Sequence, residues 1–410
     1  MSYFRTYVVR PFQAFMHLEA ASGMVMILAA IIALSWANSP WSSAYSHLWE
    51  ITIPVQIGAF SLHKSLHFWV NDGLMVIFFF LIGLEIKREI LIGELSSVKK
   101  SIFPILGAVG GMLTPALIYA GLNWRDPAIA GWGIPMATDI AFALGILAMF
   151  GKRIPAALKI FLAALAIADD LGAILVIAIF YTAHISWLLL LVAVLGLGVL
   201  ALCNRLGIRH PAVYAILGII GVWVPFLFSG IHPTVAGVLV AFTVPLGQIA
   251  KTRLSKQTIT DHAFSTLRYF EHHLHGVVGF LILPIFALAN AGVTYHGLTA
   301  LVSSHLGLGI ILGLLFGKPL GIVLLTWLGV TFKIASLPKD CQWSHILGVG
   351  FLAGIGFTMS IFIAELAFGG TDMLAISKIS ILIASLLSGI VGSILLWQTR
   401  PIAKSKERAS

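Results

Sequence analysis

Between Ile134 and Phe180 the chain reads IPMATDIAFALGILAMFGKRIPAALKIFLAALAIADDLGAILVIAIF. That is long enough for two consecutive membrane spans of about 20 residues each. Three carboxylates lie inside it, on Asp139, Asp169 and Asp170. An ionised Asp at the centre of a membrane helix costs about 2.5–3.5 kcal/mol, so the three together oppose insertion by about 7–10 kcal/mol. Acids in such a place face partners or a water-filled cavity inside a bundle rather than lipid. The fold must bring those partners to them.

The rest of the chain is membrane-like in composition. Hydrophobic residues make up 59% and charged residues 10%, against about 25% charged in soluble domains, and the mean hydropathy is +1.00. Glycines and prolines recur along the apolar runs, where they mark close helix packing or broken helices. The net charge of +9 is spread between the apolar runs and forms no single basic stripe, so topology explains it better than nucleic-acid binding does. Cys203 and Cys341 show neither metal nor redox spacing and read as unpaired. The basic N-terminus ahead of an apolar stretch resembles a signal peptide. With many spans to follow, a retained surface helix over about residues 5–18 and then a first span is the better reading.

Apolar windows place spans near 20–38, 66–85, 101–121, 133–150, 157–181, 186–203, 212–229, 232–249, 274–293, 306–330, 345–369 and 376–398. The expectation is therefore an all-α polytopic membrane protein of about twelve transmembrane helices, a single integral domain with short loops. The loops on the N-terminal side hold most of the cations, among them Arg5, Arg10, Lys99, Lys100, Lys152, Arg153, Arg205, Arg209, Lys251, Arg253 and Arg400, whereas the opposite loops hold only Lys64 and Arg125. The positive-inside rule then predicts both termini in the cytoplasm. In the longest external segment, roughly 39–65, Ile51 to His63 alternate apolar and polar residues around Gly58, which predicts a small β-hairpin over about 45–65. An open edge there could pair with a second copy.

Asp169 and Asp170 are neighbours on a helix, at one level but about 100° apart in direction. One can face a cavity while the other faces an adjacent helix. A buried carboxyl beside another negative charge favours its protonated form, so the pair can hold protons near neutral pH. Oxygen ligands also suit small hard cations, and a carboxyl cannot fully serve both at once.

Gly133 and Pro135 precede Thr138 and Asp139, and the string Ala353 to Phe362 echoes the pattern, Thr358 and Phe362 aligning with Thr138 and Phe142. Two interrupted spans, the fourth and the eleventh, one in each half, predict an inverted-repeat transporter with crossing helices at the midplane. Asp139 would then offset the positive helix N-termini. Lys318 is a cation deep in an apolar run, and its partner is expected to be one of the Asp169/Asp170 pair or the carbonyls of the broken helices. Asp72 is a further intramembrane acid, either on an ion path or in structural hydrogen bonding. Near span ends, Glu85, Lys87, Arg88 and Glu89 form one charge cluster, and Glu271, His272, His273 and His275 another that could titrate across physiological pH. His232 reads as interfacial or pH-responsive.

Several long strings resemble the NhaA-type sodium/proton antiporters of bacterial inner membranes. They are Phe-Leu-Ile-Gly-Leu-Glu-Ile-Lys-Arg-Glu, Ala-Thr-Asp-Ile-Ala-Phe-Ala-Leu-Gly, Leu-Ala-Ile-Ala-Asp-Asp-Leu-Gly-Ala-Ile, Leu-Ile-Leu-Pro-Ile-Phe-Ala-Leu-Ala-Asn-Ala-Gly-Val, Gly-Lys-Pro-Leu-Gly-Ile and Gly-Ile-Gly-Phe-Thr-Met-Ser-Ile-Phe-Ile-Ala. The resemblance runs from about residue 11 to residue 398. It implies exchange of sodium or lithium for protons, electrogenic and pH-regulated, with no cofactor. It assigns Asp169 and Asp170 to the ion- and proton-binding pair, Asp170 as the more direct sodium or lithium ligand and Asp169 as the partner of Lys318. Thr138 and Asp139 would sit at the crossing. Glu85, Arg88, Glu89, Glu271, His272 and His275 would form the cytoplasmic pH-response region, with His232 linked to it and Asp72 as an accessory acid. It also implies a homodimer through the external hairpin, within membrane lipid. Two features depart from the family pattern: Glu365 stands where a small or uncharged residue is expected, and Arg268-Tyr269-Phe270 is less basic.

Two other functions fit parts of this pattern. A cation channel needs a continuous pathway, which broken helices around a carboxylate site suit less well than alternating access. Intramembrane aspartyl proteolysis would call for acids on separate helices and a Gly-x-Gly-Asp string, which precedes none of the Asp residues here.

Overall fold

The computed structural model describes residues 10–57, 60–182, 185–246, 265–294 and 304–399. In chain order its longer helices are α1 (Arg10–Ala37), α2 (Ser42–Glu50), α3 (Met75–Ile92), α4 (Val98–Leu122), α5 (Ile140–Met149), α6 (Ala156–Phe180), α7 (Trp187–Arg205), α8 (Pro211–Gly218), α9 (Val224–Ser229), α10 (Thr234–Thr243), α11 (Thr266–Val277), α12 (Leu283–Asn290), α13 (His305–Leu312), α14 (Lys318–Thr331), α15 (Trp343–Ala353), α16 (Phe357–Phe368) and α17 (Asp372–Gln398). Strands β1 (Thr52–Ile57) and β2 (Phe60–Ser65) lie between α2 and α3.

Among the described residues eight helical stretches are long and apolar enough to cross a membrane, or ten if each of two bent pairs is one span. Two expected spans, 66–85 and 232–249, are not among these; in 232–249 only the ten residues of α10 are helical among the described ones. At 1.5 Å per residue that is about 15 Å, half of a hydrocarbon core of about 30 Å; residues 247–250 lie outside the described ones. The segment expected at 66–85 is helical, but a π turn at Trp69–Leu74 carrying Asn71 and Asp72 precedes α3. α1 runs without a break from Arg10, and residues 5–9 of the expected surface helix lie outside the described ones, as do Arg5, Lys251, Arg253, Lys256 and residues 400–410. α7 shows why a bilayer is needed: it is apolar along its length, yet only 11% of its most hydrophobic stretch is buried within the protein. Exposed Leu188, Leu191, Leu195 and Leu202 would be an aggregation surface in water.

The chain divides into two compact units. The first gathers residues 10–48, 94–173 and 283–399. Its helices meet closely at glycines. On α4 and α14, Gly110 and Gly321 face each other so tightly that a Cβ on either would land on the other's carbonyl oxygen. Gly313 packs on Pro135, and Gly317 on Pro115. α15 and α16 both lie against α17, the break between them bending the chain by 45°.

The second unit holds residues 49–93 and 174–282. Gly83 on α3 meets Ala241 and Val238, and Gly237 on α10 meets the backbone of Val76 and Phe80, so α3 and α10 lie nearly backbone to backbone. The hairpin is antiparallel, in register from Thr52↔Ser65 to Ile57↔Phe60. It is narrower than the segment expected at 45–65, because residues 42–50 form α2.

Two outcomes follow from this packing. Gly321→Leu must push α4 and α14 apart and should cost about 1–3 kcal/mol or more, read as a lower melting temperature in detergent; an unchanged melt would mean the two helices do not touch there. Both cysteines are free, and burial, with Asp340 adjacent, pushes the Cys341 thiol up to about 11. Its thiolate is scarce below that pH, so maleimide labelling of a Cys203→Ser variant should be slow at pH 7.5 and accelerate as pH rises. Fast labelling at pH 7.5 would contradict the burial.

Candidate functional site

The site is built in the first unit where two helices break. Regular structure stops after the 3₁₀ turn Ile134–Met136 and resumes at Ile140, with Asp139 extended between them as the N-cap of α5. The chain also breaks between α15 and α16, where Gly354–Gly356 link the two halves. Each break leaves peptide groups without helical partners, and the two breaks satisfy one another. Asp139 N donates to Ile355 O at 2.7 Å, Thr138 Oγ1 lies 3.0 Å from Ala353 O, and Ser360 Oγ donates to Ile134 O at 2.7 Å.

Asp139, only 2% exposed, caps two helices with one carboxylate. Oδ1 accepts from Phe142 N of α5 at 3.2 Å, while Oδ2 accepts from Thr358 N at 3.1 Å and Thr358 Oγ1 at 2.5 Å in the first turn of α16. Both N-termini carry partial positive charge, so a single anion is stabilised by two helix ends. The role expected of Asp139 thus has a geometry that would perform it.

Beside this crossing, Lys318 Nζ lies 2.5 Å from Asp169 Oδ2, with both side chains fully buried, and it also donates to Met136 O at the first break. Both partner types expected for Lys318, a carboxylate and a broken-helix carbonyl, are therefore present together. A π turn at Gly313–Gly317 immediately precedes Lys318. Its extra residue turns everything after it by about 100°, a rotation that Pro319 at the next position then locks into the new helix. Thr138 Oγ1 is also 2.6 Å from Asp169 Oδ2, so its single hydroxyl hydrogen lies within reach of both that carboxylate and Ala353 O. The other oxygen of Asp169, Oδ1, is buried and accepts no hydrogen bond among the described residues. Asp170 is 2% exposed and close enough for Lys318 to feel its charge. Four protein segments thus converge on two adjacent acids, one cation and one hydroxyl.

The second unit contains two further polar groups. In one, Arg88 bridges Glu271 at 3.1 Å and Glu89 at 3.3 Å, and His275 Nδ1 lies 3.5 Å from Glu85 Oε1. The structure therefore joins Glu85, Arg88, Glu89, Glu271 and His275, whereas His272 is exposed and stacks edge-on with His273. In the other, His232 Nε2 and Asp72 Oδ1 are 3.1 Å apart. Sequence reasoning placed Lys87 in the first charge cluster without giving it a role of its own, and gave none to Lys378. Lys87 is buried, with Nζ donating to Phe242 O at 2.6 Å and Val244 O at 2.5 Å at the end of α10. Lys378 lies 2.5 Å from Glu365. Glu365 itself was a visible signal, an acid where none was expected.

A buried acid pair with a buried lysine, set where two helix breaks cap one another, defines a class: a multi-pass helical membrane protein with a charged, buried centre. The chain belongs to the family described as Na+/H+ antiporter 1, whose profile matches residues 13–396. It is 46% identical over 431 residues to the Na(+)/H(+) antiporter NhaA of Koribacter versatilis, covering 98% of this chain and 94% of that one. It is 49% identical over 385 residues to the Na(+)/H(+) antiporter NhaA of Salmonella arizonae, covering 93% and 96%. The solved structure of the sodium proton antiporter MjNhaP1 from Methanocaldococcus jannaschii has the same fold, at TM-score 0.52 and 14% identity, over 94% of this chain and 97% of that one.

Removing Lys318 leaves the Asp169 carboxyl buried without its counter-charge, so Lys318→Ala should cost about 3–5 kcal/mol and lower the melting temperature in detergent. Adding Asp169→Asn should restore most of that loss, since the stranded charge is then gone. Equal melting of the single and double variants would contradict the pairing.

Proposed function

We propose that this protein is a secondary antiporter that exchanges cytoplasmic sodium or lithium for external protons across a bacterial inner membrane. The observation that carries the reading is the Asp169–Lys318 pair, buried beside Asp170 at the mutual capping of two helix breaks. Family membership and the names of the relatives support sodium/proton exchange as the activity.

The chemistry follows from competition. Asp169 is held by an ammonium and a hydroxyl, and Asp170 adds a second acid one residue away. A cation arriving at the two carboxylates must displace protons or the ammonium's hold, because three positive species cannot share two buried acids without a large repulsive cost. Two acids allow more than one proton to move per cation, which makes the exchange electrogenic. In this conformation Asp169 and Asp170 are 1% and 2% exposed, so loading from either side requires the halves of the broken spans to shift. Half-helices that cap one another through side chains can do this with less loss than intact helices, since few main-chain bonds must break.

The finer reading is of one piece with this. Twelve spans in inverted repeats, both termini cytoplasmic, would place the site near the midplane. The Arg88–Glu271 and His275–Glu85 contacts would respond to cytoplasmic pH, and the His232–Asp72 contact would be linked to that response. The hairpin would join two copies in lipid.

Everted vesicles test the proposal. After respiration acidifies them, added sodium should release the internal proton load, and Asp170→Asn should abolish the release. A response to potassium with none to sodium between pH 6.5 and 9 would reassign the ion. Sodium flux without counter-movement of protons would identify a channel instead.

A further inference from the structure

Glu365, an acid in the otherwise uncharged half-helix α16, is paired. Its Oε1 lies 2.5 Å from Lys378 Nζ, with the two side chains 11% and 9% exposed. Glu365 stands in the last turn of α16, where the helix end is already negative, and the helix dipole disfavours an acid there. Lys378, in the second turn of α17, brings a cation to it.

The position of the pair gives it a consequence. Glu365 follows Thr358 by seven residues, two turns and about 10 Å along the same face of α16. Thr358 is the residue whose N–H and hydroxyl hold Asp139. On α17, Lys378, Ser385 and Gly392 recur at the same two-turn spacing, and each meets the broken span at a different level. Lys378 holds Glu365, Ser385 Oγ accepts from Gly356 N at the break at 3.3 Å, and Gly392 faces Leu352 and the carbonyl of Gly348 on α15. The unbroken α17 thus runs as a splint along both halves of a span that cannot hold itself straight.

We infer that the Glu365–Lys378 ion pair is a positioning device for the ion site, pinning α16 to α17 so that Thr358 keeps its hold on Asp139. This rests on the antiport reading above. A buried ion pair adds little net stability compared with apolar side chains of the same size, but it fixes distance and register, which apolar contacts do not. At the far end of a short half-helix, register is what matters: α16 is twelve residues long, and slippage or rotation there passes directly to Thr358.

The test uses the full chain in everted vesicles, reading the half-saturating sodium concentration and the maximal rate separately. Glu365→Gln, and independently the double variant Glu365→Gln/Lys378→Met, which strands no buried charge, should each raise half-saturation about tenfold, the scale of a coupling of contacting residues, with maximal rate within about twofold. The exchanged pair Glu365→Lys/Lys378→Glu should return half-saturation to within about threefold of the parent. Parent-like half-saturation in Glu365→Gln, with only the melting temperature lowered, overturns the inference. So does an exchanged pair as impaired as the single variant, since Glu365 would then be acting alone. If the parent itself gives no sodium response, the antiport reading has failed, and amide hydrogen exchange at residues 357–362 still reads the pinning. It should be faster in Glu365→Gln, and unchanged exchange sinks the pair's role.

Discussion

The structure around the site depends on one carboxylate capping two helices. A membrane interior offers no water to stray peptide groups, so a broken span survives only if something else satisfies its ends. Asp139 gives one oxygen to α5 and the other to α16, and takes Ile355 O through its own N–H. The charge that would be costly alone is stabilised by two positive helix ends, and the breaks that would be costly alone are closed by that charge. Each defect is tolerable because of the other.

Around this centre the remaining polar groups are arranged by the same logic. Lys318 faces inward because a π turn rotates its helix just before it, and it meets both Asp169 and a carbonyl freed by the first break. Thr138 couples Asp169 to the second break through one hydroxyl. The acid proposed to exchange ions thus contacts the first interrupted segment directly and reaches the second only through Thr138. In the proposed exchange, a change in what Asp169 holds would reach that first segment directly, and it is the backbone there that would have to move.

Much of the site was legible before the fold was known. Asp139, Asp169, Asp170 and Lys318 stand out because an ionisable residue in an apolar run demands a partner, and the glycines and prolines around Thr138 and Thr358 mark where helices fail. The charge cluster at Glu85, Arg88 and Glu89 was legible as helical neighbours, and its union with Glu271 and His275 only as a guess about two distant segments. His272 shows the limit: histidines in one cluster look alike in sequence, but His272 and His275, three positions apart, are turned about 60° from one another, and His275 reaches Glu85 while His272 is exposed. Lys87 was visible in the Glu85 cluster but its partners were not, because a lysine near a span end usually snorkels to the interface and nothing local reveals that the carbonyls of Phe242 and Val244 wait for it.

By itself the sequence determined that this chain is a helical, multi-pass membrane protein, which acids and which lysine its interior must accommodate, and where two of its spans should fail, since these follow from local hydrophobicity and the energetic cost of charge in lipid. Only the tertiary structure decided which oxygen each donor meets: that Lys318 takes Asp169, that Asp139 serves two helices, and that Glu365 is answered by Lys378. Pairing between residues tens or hundreds of positions apart depends on helix rotation and register to within an ångström or two, and those are set by glycine contacts, π turns and close packing of the whole assembly, none of which is a property of any short stretch of chain.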